Sequence, residues 1–119
     1  MKEKNPNIIC VWVEPKNKLH QIQGGGYFTT PLGEPLLFEK LAKERGHIDK
    51  VIKVGDEESI QAARDLAKTE GIFGGYSTGA NLAAAVHVLK GNIDPNFSVI
   101  FLVCDTGLKY LSLDLYEKI

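Results

Sequence analysis

The sequence predicts an α/β fold, a three-layer parallel sheet with flanking helices. Three observations carry that prediction. Short β-branched and apolar runs recur at Ile8–Val13, Val51–Val54, Ile72–Phe73 and Ser98–Val103. Segments of helical character separate them, an alternation that gives parallel strands joined by right-handed crossovers. Glycine-bearing polar turns follow several of the runs, and ligands sit at the carboxyl ends of such strands.

Length and composition set the bounds. The chain has 119 residues, 44% hydrophobic and 24% charged, enough for one modest core, so residues 1–119 are expected to form a single domain. The net charge is −1, from 14 basic and 15 acidic residues, which gives no pull toward nucleic acid or anionic lipid. The start, MKEKNPN, lacks the apolar core of a signal peptide. No apolar run approaches the roughly 20 residues that cross a bilayer. A soluble, cytoplasmic protein is expected, with no membrane partner. Cys10 and Cys104 sit in or beside apolar runs without C-x-x-C spacing, and are expected to be buried and reduced. His20, His47 and His87 are scattered, so no metal site is expected.

In order, Lys2–Asn7 is polar and reads as the end of a helix. Ile8–Val13 is a continuous run suited to a strand covered on both faces, and Glu14-Pro15 is expected to end it. Lys16–Thr30 has no period and contains Gly24, Gly25 and Gly26, a triplet costly to order unless something needs the backbone there. Leu36, Leu37, Leu41 and Ala42 put an apolar stripe on a short helix that Gly46 ends. Val51–Val54 is the second strand.

The clearest helix is Glu57–Glu70, with Asp56 as its cap, Glu57 and Glu58 at the positive end of its dipole and Gly71 as terminator. Ile60, Ala63, Leu66 and Ala67 form its inward stripe. Ile72-Phe73 is read as a third strand, followed by a turn at Gly74-Gly75 and a helix over Thr78–Lys90 capped by Ser77 or Thr78. Gly79 and Ala83–Ala85 are small, so this helix should lie close against the sheet, with Leu82, Val86 and Leu89 as its larger contacts and His87 on the rim. Ser98–Val103 is a fourth buried-type strand ending in Cys104-Asp105-Thr106-Gly107, and Tyr110–Ile119 is a last amphipathic helix.

The start of the helix after Gly75 suits an anion or a polar heterocycle, because unpaired N–H groups and the dipole's positive pole gather there. The same segment imitates a nucleophile elbow, with Ser77 as nucleophile. That chemistry needs an acid and a histidine later in the chain, and only His87 follows, one helix away and too near to fold back. The P-loop and the G-x-G-x-x-G fingerprint are both missing.

A specific resemblance goes further. EGIFGGYSTGANLAAAVHVLK resembles the EGI-x-x-G-x-S-S/T-G-A stretch of cysteine synthase (O-acetylserine sulfhydrylase) and its relative cystathionine beta-synthase. The loop His20–Tyr27, the segment Val51–Glu58 and the ending Asp105–Ser112 are similar to three further motifs of that family, in the same order. The resemblance implies the tryptophan-synthase-beta-like fold, pyridoxal phosphate as cofactor, and conversion of an activated serine plus sulfide to cysteine. It also implies residue roles. Ser77 matches the serine whose hydroxyl meets the pyridine nitrogen of the cofactor. Gly24, Gly25 and Gly26 match the loop that lines the substrate cleft and moves on closure, and Asp105 and Thr106 match the segment beside the ring edge. Cys104 stands where the family usually has proline.

The family's Schiff-base lysine and its glycine-threonine phosphate loop lie upstream of the part matched, and no lysine here sits in the lysine motif. The resemblance therefore implies the C-terminal portion of such an enzyme, without a catalytic residue of its own and expected to be inactive alone. It would act as a homo-oligomer or in association with the missing N-terminal half. The alternatives are a non-catalytic half that pairs with a separate N-terminal chain, and a serine or threonine dehydratase-like lyase of the same fold.

Overall fold

The computed structural model describes residues 4–16, 41–42, 44–91, 94 and 96–110. The predicted helix over Tyr110–Ile119 beyond its first residue, the glycine triplet and most of the segment around Leu36 lie outside the described residues; Gly107–Tyr110 form one turn of 3-10 helix.

Two strands, β1 (Val11–Pro15) and β2 (Lys50–Val54), pair in parallel, with Val13 opposite Ile52 and Pro15 opposite Val54. The register is pinned at one end by Asp49. Its carboxylate accepts the Cys10 N–H at 2.7 Å, and the Cys10 carbonyl accepts the Asp49 N–H at 2.9 Å. At the other end the Lys16 N–H bonds the Val54 carbonyl at 3.0 Å. This anchoring moves the first strand later than its apolar run implied. Glu14 and Pro15 belong to the strand and are buried, while Ile8–Cys10 precede it. A proline in the last strand position forfeits little, since its missing N–H falls where the ladder ends. Residues 4–10 are not helical. Asn5 caps a tight turn, its side chain accepting from the Asn7 N–H at 3.0 Å.

Leu41, Ala42 and Glu44 are helical, and Gly46, at φ 69°, ends that turn as expected. The first full helix, α1 (Asp56–Glu70), starts at an extended Gly55, so Asp56 is its first helical residue and makes no side-chain cap. Asp56, Glu57 and Glu58 still favour the positive end of its dipole. The helix stops at Gly71, left-handed at φ 68°, whose N–H returns to the Ala67 carbonyl. The second helix, α2 (Tyr76–Lys90), follows after five residues that cross from one helix to the other.

The two helices pack on each other, which corrects the expected contact of Gly79 with the sheet. A Cβ on Gly79 would strike the backbone carbonyl of Ser59 in α1, so only glycine lets the helices cross there. Ser59 and Ala63 from α1, and Ala80, Ala83 and Ala84 from α2, are all buried. Val54 and Tyr76 join this core, with Val13 and Ile52 partly buried beneath. Ser59 is tolerated in it because its hydroxyl donates to the Gly55 carbonyl at 3.0 Å. Small side chains set the separation, so Val86 and Leu89 stay exposed instead of packing inward.

The third and fourth predicted strands do not form among the described residues. Ile72 and Phe73 are exposed, and Gly74 makes an isolated antiparallel bridge with Thr106. Residues 98–103 belong to no sheet, and Ile100 is 90% exposed and Leu102 73%. Apolar, β-branched sequence becomes a strand only where a neighbour offers ladder partners. No helix among the described residues is long and apolar enough to cross a membrane. Cys10 and Cys104 are free thiols, but neither is buried as expected: Cys10 is half-buried and Cys104 is exposed.

Candidate functional site

Two segments far apart in sequence meet at the start of α2. The chain turns through Gly74 and Gly75, and Gly75 sits extended (φ −97°, ψ −165°) as the residue before the helix. A Cβ on Gly74 would fall 2.6 Å from Thr78 Cγ2, so the turn closes tightly over the first helical turn.

Ser77 and Thr78 are the second and third residues of the helix, so neither stands at the cap position, which is Gly75. No acidic residue lies in that first turn. The cap comes from Asp105. Its Oδ1 accepts the Gly75 N–H at 3.1 Å and lies 3.5 Å from the Thr78 hydroxyl, which is oriented to donate. In a capping box the third helical residue supplies an acceptor to the cap N–H. Here the third residue is Thr78, and the acceptor is borrowed from a carboxylate 30 residues from Gly75.

The contact is reinforced around it. Thr78 is fully buried, and its Oγ1 accepts the Cys104 N–H at 3.2 Å. The Gly107 N–H bonds the Phe73 carbonyl at 2.9 Å, beside the bridge between Gly74 and Thr106. One turn further along α2, Asn81 donates through Nδ2 to the Leu102 carbonyl at 3.0 Å and to Cys104 Sγ at 3.3 Å. Ser77 stands half-buried between Gly75 and Thr78, the two residues that Asp105 touches.

Of the residues singled out in the sequence, Ser77, Asp105 and Thr106 are thus brought to one turn. Thr106 is exposed and its hydroxyl accepts the Leu108 N–H at 3.4 Å. Gly24, Gly25 and Gly26 lie outside the described residues. His87 is exposed in the last turn of α2, its Nε2 3.5 Å from Glu58 Oε2, while Lys16 Nζ lies 3.6 Å from the other oxygen. Ten residues of helix put it roughly 15 Å along the axis from Ser77, which removes the nucleophile-elbow arrangement. Sequence reasoning missed Asn81, for which a lone asparagine inside a helix gave no signal. Among the described residues no group of three or more His, Cys, Asp or Glu side chains is placed to hold a metal ion.

Residues 1–105 match the family described as "Pyridoxal-phosphate dependent enzyme". The chain belongs to that family. It is 32% identical over 99% of its length to a cysteine synthase from Buchnera aphidicola subsp. Schizaphis graminum, covering 38% of that relative. It is 36% identical to the cystathionine beta-synthase of Apis mellifera, over 86% of this chain and 21% of that protein. Its fold is similar to the crystal structure of cysteine synthase from Entamoeba histolytica, with TM-score 0.80 and 28% identity over 98% of this chain and 34% of that one. The fold is therefore the α/β fold of the pyridoxal-phosphate enzymes related to cysteine synthase, and the family's cofactor is pyridoxal phosphate. The chain spans little more than a third of the cysteine synthase relative's length.

The donor set at the start of α2 fits one end of that cofactor. A phosphate would meet the carboxylate of Asp105 already seated on the Gly75 N–H at the mouth of the helix, and like charges repel. Ser77 offers a neutral hydroxyl, able to donate or accept, which suits the pyridine nitrogen.

Proposed function

We propose that residues 1–119 form a single partial domain, the C-terminal part of a pyridoxal-phosphate-dependent β-replacement enzyme of the cysteine synthase type. The complete enzyme makes cysteine from an activated serine and sulfide. The observation that carries this reading is the seating of Asp105 on the turn that bears Ser77, which unites two separated family-like segments in one site. Relatives named cysteine synthase over nearly the whole chain support it.

In this reading Ser77 holds the ring nitrogen. Bound pyridoxal phosphate supplies the electron sink for loss of the serine β-substituent. A neutral hydroxyl does not keep the ring nitrogen protonated as a carboxylate would, so the sink stays moderate, which suits β-elimination and replacement. Gly24, Gly25 and Gly26 line the substrate cleft, and Thr106 lies beside the ring edge. The Schiff-base lysine and the phosphate loop belong to the N-terminal part of such an enzyme, so residues 1–119 alone are expected to be inactive.

The test is reconstitution. The chain is mixed with the N-terminal part of a cysteine synthase relative, and cysteine formation from O-acetylserine and sulfide is followed. Activity that needs both parts and falls with Ser77→Ala is expected. Cysteine formation by the 119-residue chain alone overturns the assignment. Serine or threonine deamination without sulfide consumption moves it to the dehydratase-like lyases.

A second reading, a non-catalytic half that pairs with a separate chain, is favoured by the exposed apolar run at Ile100, Leu102 and Val103. The run from Ser98 to Val103 carries no charge or proline to discourage strand addition. Binding of the N-terminal part without any gain of activity would favour that reading.

A further inference from the structure

We infer that Asp105 and Thr78 are positioning residues for Ser77, acting as a clasp that fixes where its hydroxyl points. The inference rests on the reading of Ser77 as the ring partner.

The geometry is bracketing. Asp105 Oδ1 reaches the residue two before Ser77 through the Gly75 N–H, and the residue after it through the Thr78 hydroxyl. The Cys104 N–H then donates back to Thr78 Oγ1, closing a ring of contacts through adjacent residues on both segments. Thr78 is suited to the centre of that ring. Its β-branched side chain is stiff at χ1, and its hydroxyl both accepts and donates. It is fully buried, so water cannot replace either partner. The bridge at Gly74 and Thr106 and the Gly107 bond to Phe73 hold the same two segments from the other side.

Asp105 accordingly takes a role different from lining a cleft. Its carboxylate contacts Gly75 and Thr78 and orders the turn that presents Ser77. The substrate-facing part of this segment then falls to Thr106, which is exposed.

The experiment is nuclear magnetic resonance on the full 119-residue chain. The three-bond Hα–Hβ couplings of Ser77 report whether its side chain keeps one rotamer. Couplings of a single rotamer, one large and one small or both small, are expected in the parent chain, in Thr78→Ser and in Asp105→Asn, which keep the hydroxyl or an acceptor oxygen. Averaged couplings are expected in Thr78→Val and Asp105→Ala, with amide shifts of α1 unchanged. Retention of a single rotamer in the last two variants overturns the inference, as does averaging in Thr78→Ser. If Thr78→Val fails to fold, the two Asp105 variants decide alone.

A second arm adds pyridoxamine 5′-phosphate, which carries the ring and phosphate but no aldehyde. A shift of the Ser77 amide is expected, with affinity about tenfold weaker in Thr78→Val, the worth of one hydrogen bond. Absence of that shift in the parent chain overturns the ring reading alone, because the rotamer result is obtained without ligand. Unchanged affinity in Thr78→Val with loss in Ser77→Ala overturns the clasp and leaves the ring reading standing.

Discussion

Asp105 Oδ1 and the Gly75 N–H meet at 3.1 Å across 30 residues of sequence, and the start of α2 takes its cap from that pairing. A carboxylate at a helix N-terminus is favoured by the dipole and by the charge-assisted hydrogen bond. Replacing Asp105 by Ala should cost about 1–2 kcal/mol, the range for losing a cap. Asp105→Asn should cost about half as much, since an acceptor remains and only the charge is lost. Thermal or urea melts followed by circular dichroism check both, and equal losses for the two would show that charge alone matters.

Gly79 gives the sharpest steric prediction. A side-chain carbon there meets the Ser59 carbonyl of α1. Gly79→Ala should therefore destabilise by about 1–3 kcal/mol despite the better helix propensity of alanine. Gly91→Ala is the control, because its new carbon would meet only ordinary contacts at 3.7 Å. Its melting curve should overlay that of the parent.

Gly71 ends α1 at φ 68°, with open space around a would-be Cβ. Gly71→Ala should cost about 1 kcal/mol from backbone strain alone. Amide exchange should then speed up in the last turn of α1, near Ala67, and leave the start of the helix unaffected.

Ile100 and Leu102 point outward on a run without ladder partners. Changing both to serine should alter the stability of the chain by less than about 0.5 kcal/mol, as exposed sites do. The same change should weaken binding of the N-terminal part at least tenfold in a sedimentation or calorimetric titration. A loss of stability in the chain alone would instead show that the two side chains are packed at home.

The helices were the readable part of this sequence. α1 carries acidic residues in its first turn and a glycine immediately after its last residue, so its signals are local in sequence. The strand pattern read well only where both partners lie within the described residues, at Val11–Pro15 and Lys50–Val54. For Ser98–Val103 the apolar pattern was correctly seen, yet a strand depends on hydrogen bonds to a neighbour that local sequence does not specify. The site was half legible. The glycine pair and Ser77 announce a strand-to-helix turn and its resemblance to the family. The cap from Asp105 depends on tertiary approach over 30 residues, so sequence assigned the capping to Ser77 or Thr78 instead.

The parallel pairing of β1 with β2 also bears on the order of folding. The Cys10–Asp49 contacts that fix its register close a loop of 39 residues, whereas α1 and α2 follow one another through a short turn. Loop closure costs entropy before any ladder bond repays it, so sequence-local contacts form sooner. The crossing at Ser59 and Gly79 is thus expected to belong to the folding nucleus, and the sheet to the last step. Gly79→Ala should slow folding itself, while a change at Asp49 should act on the rate of unfolding.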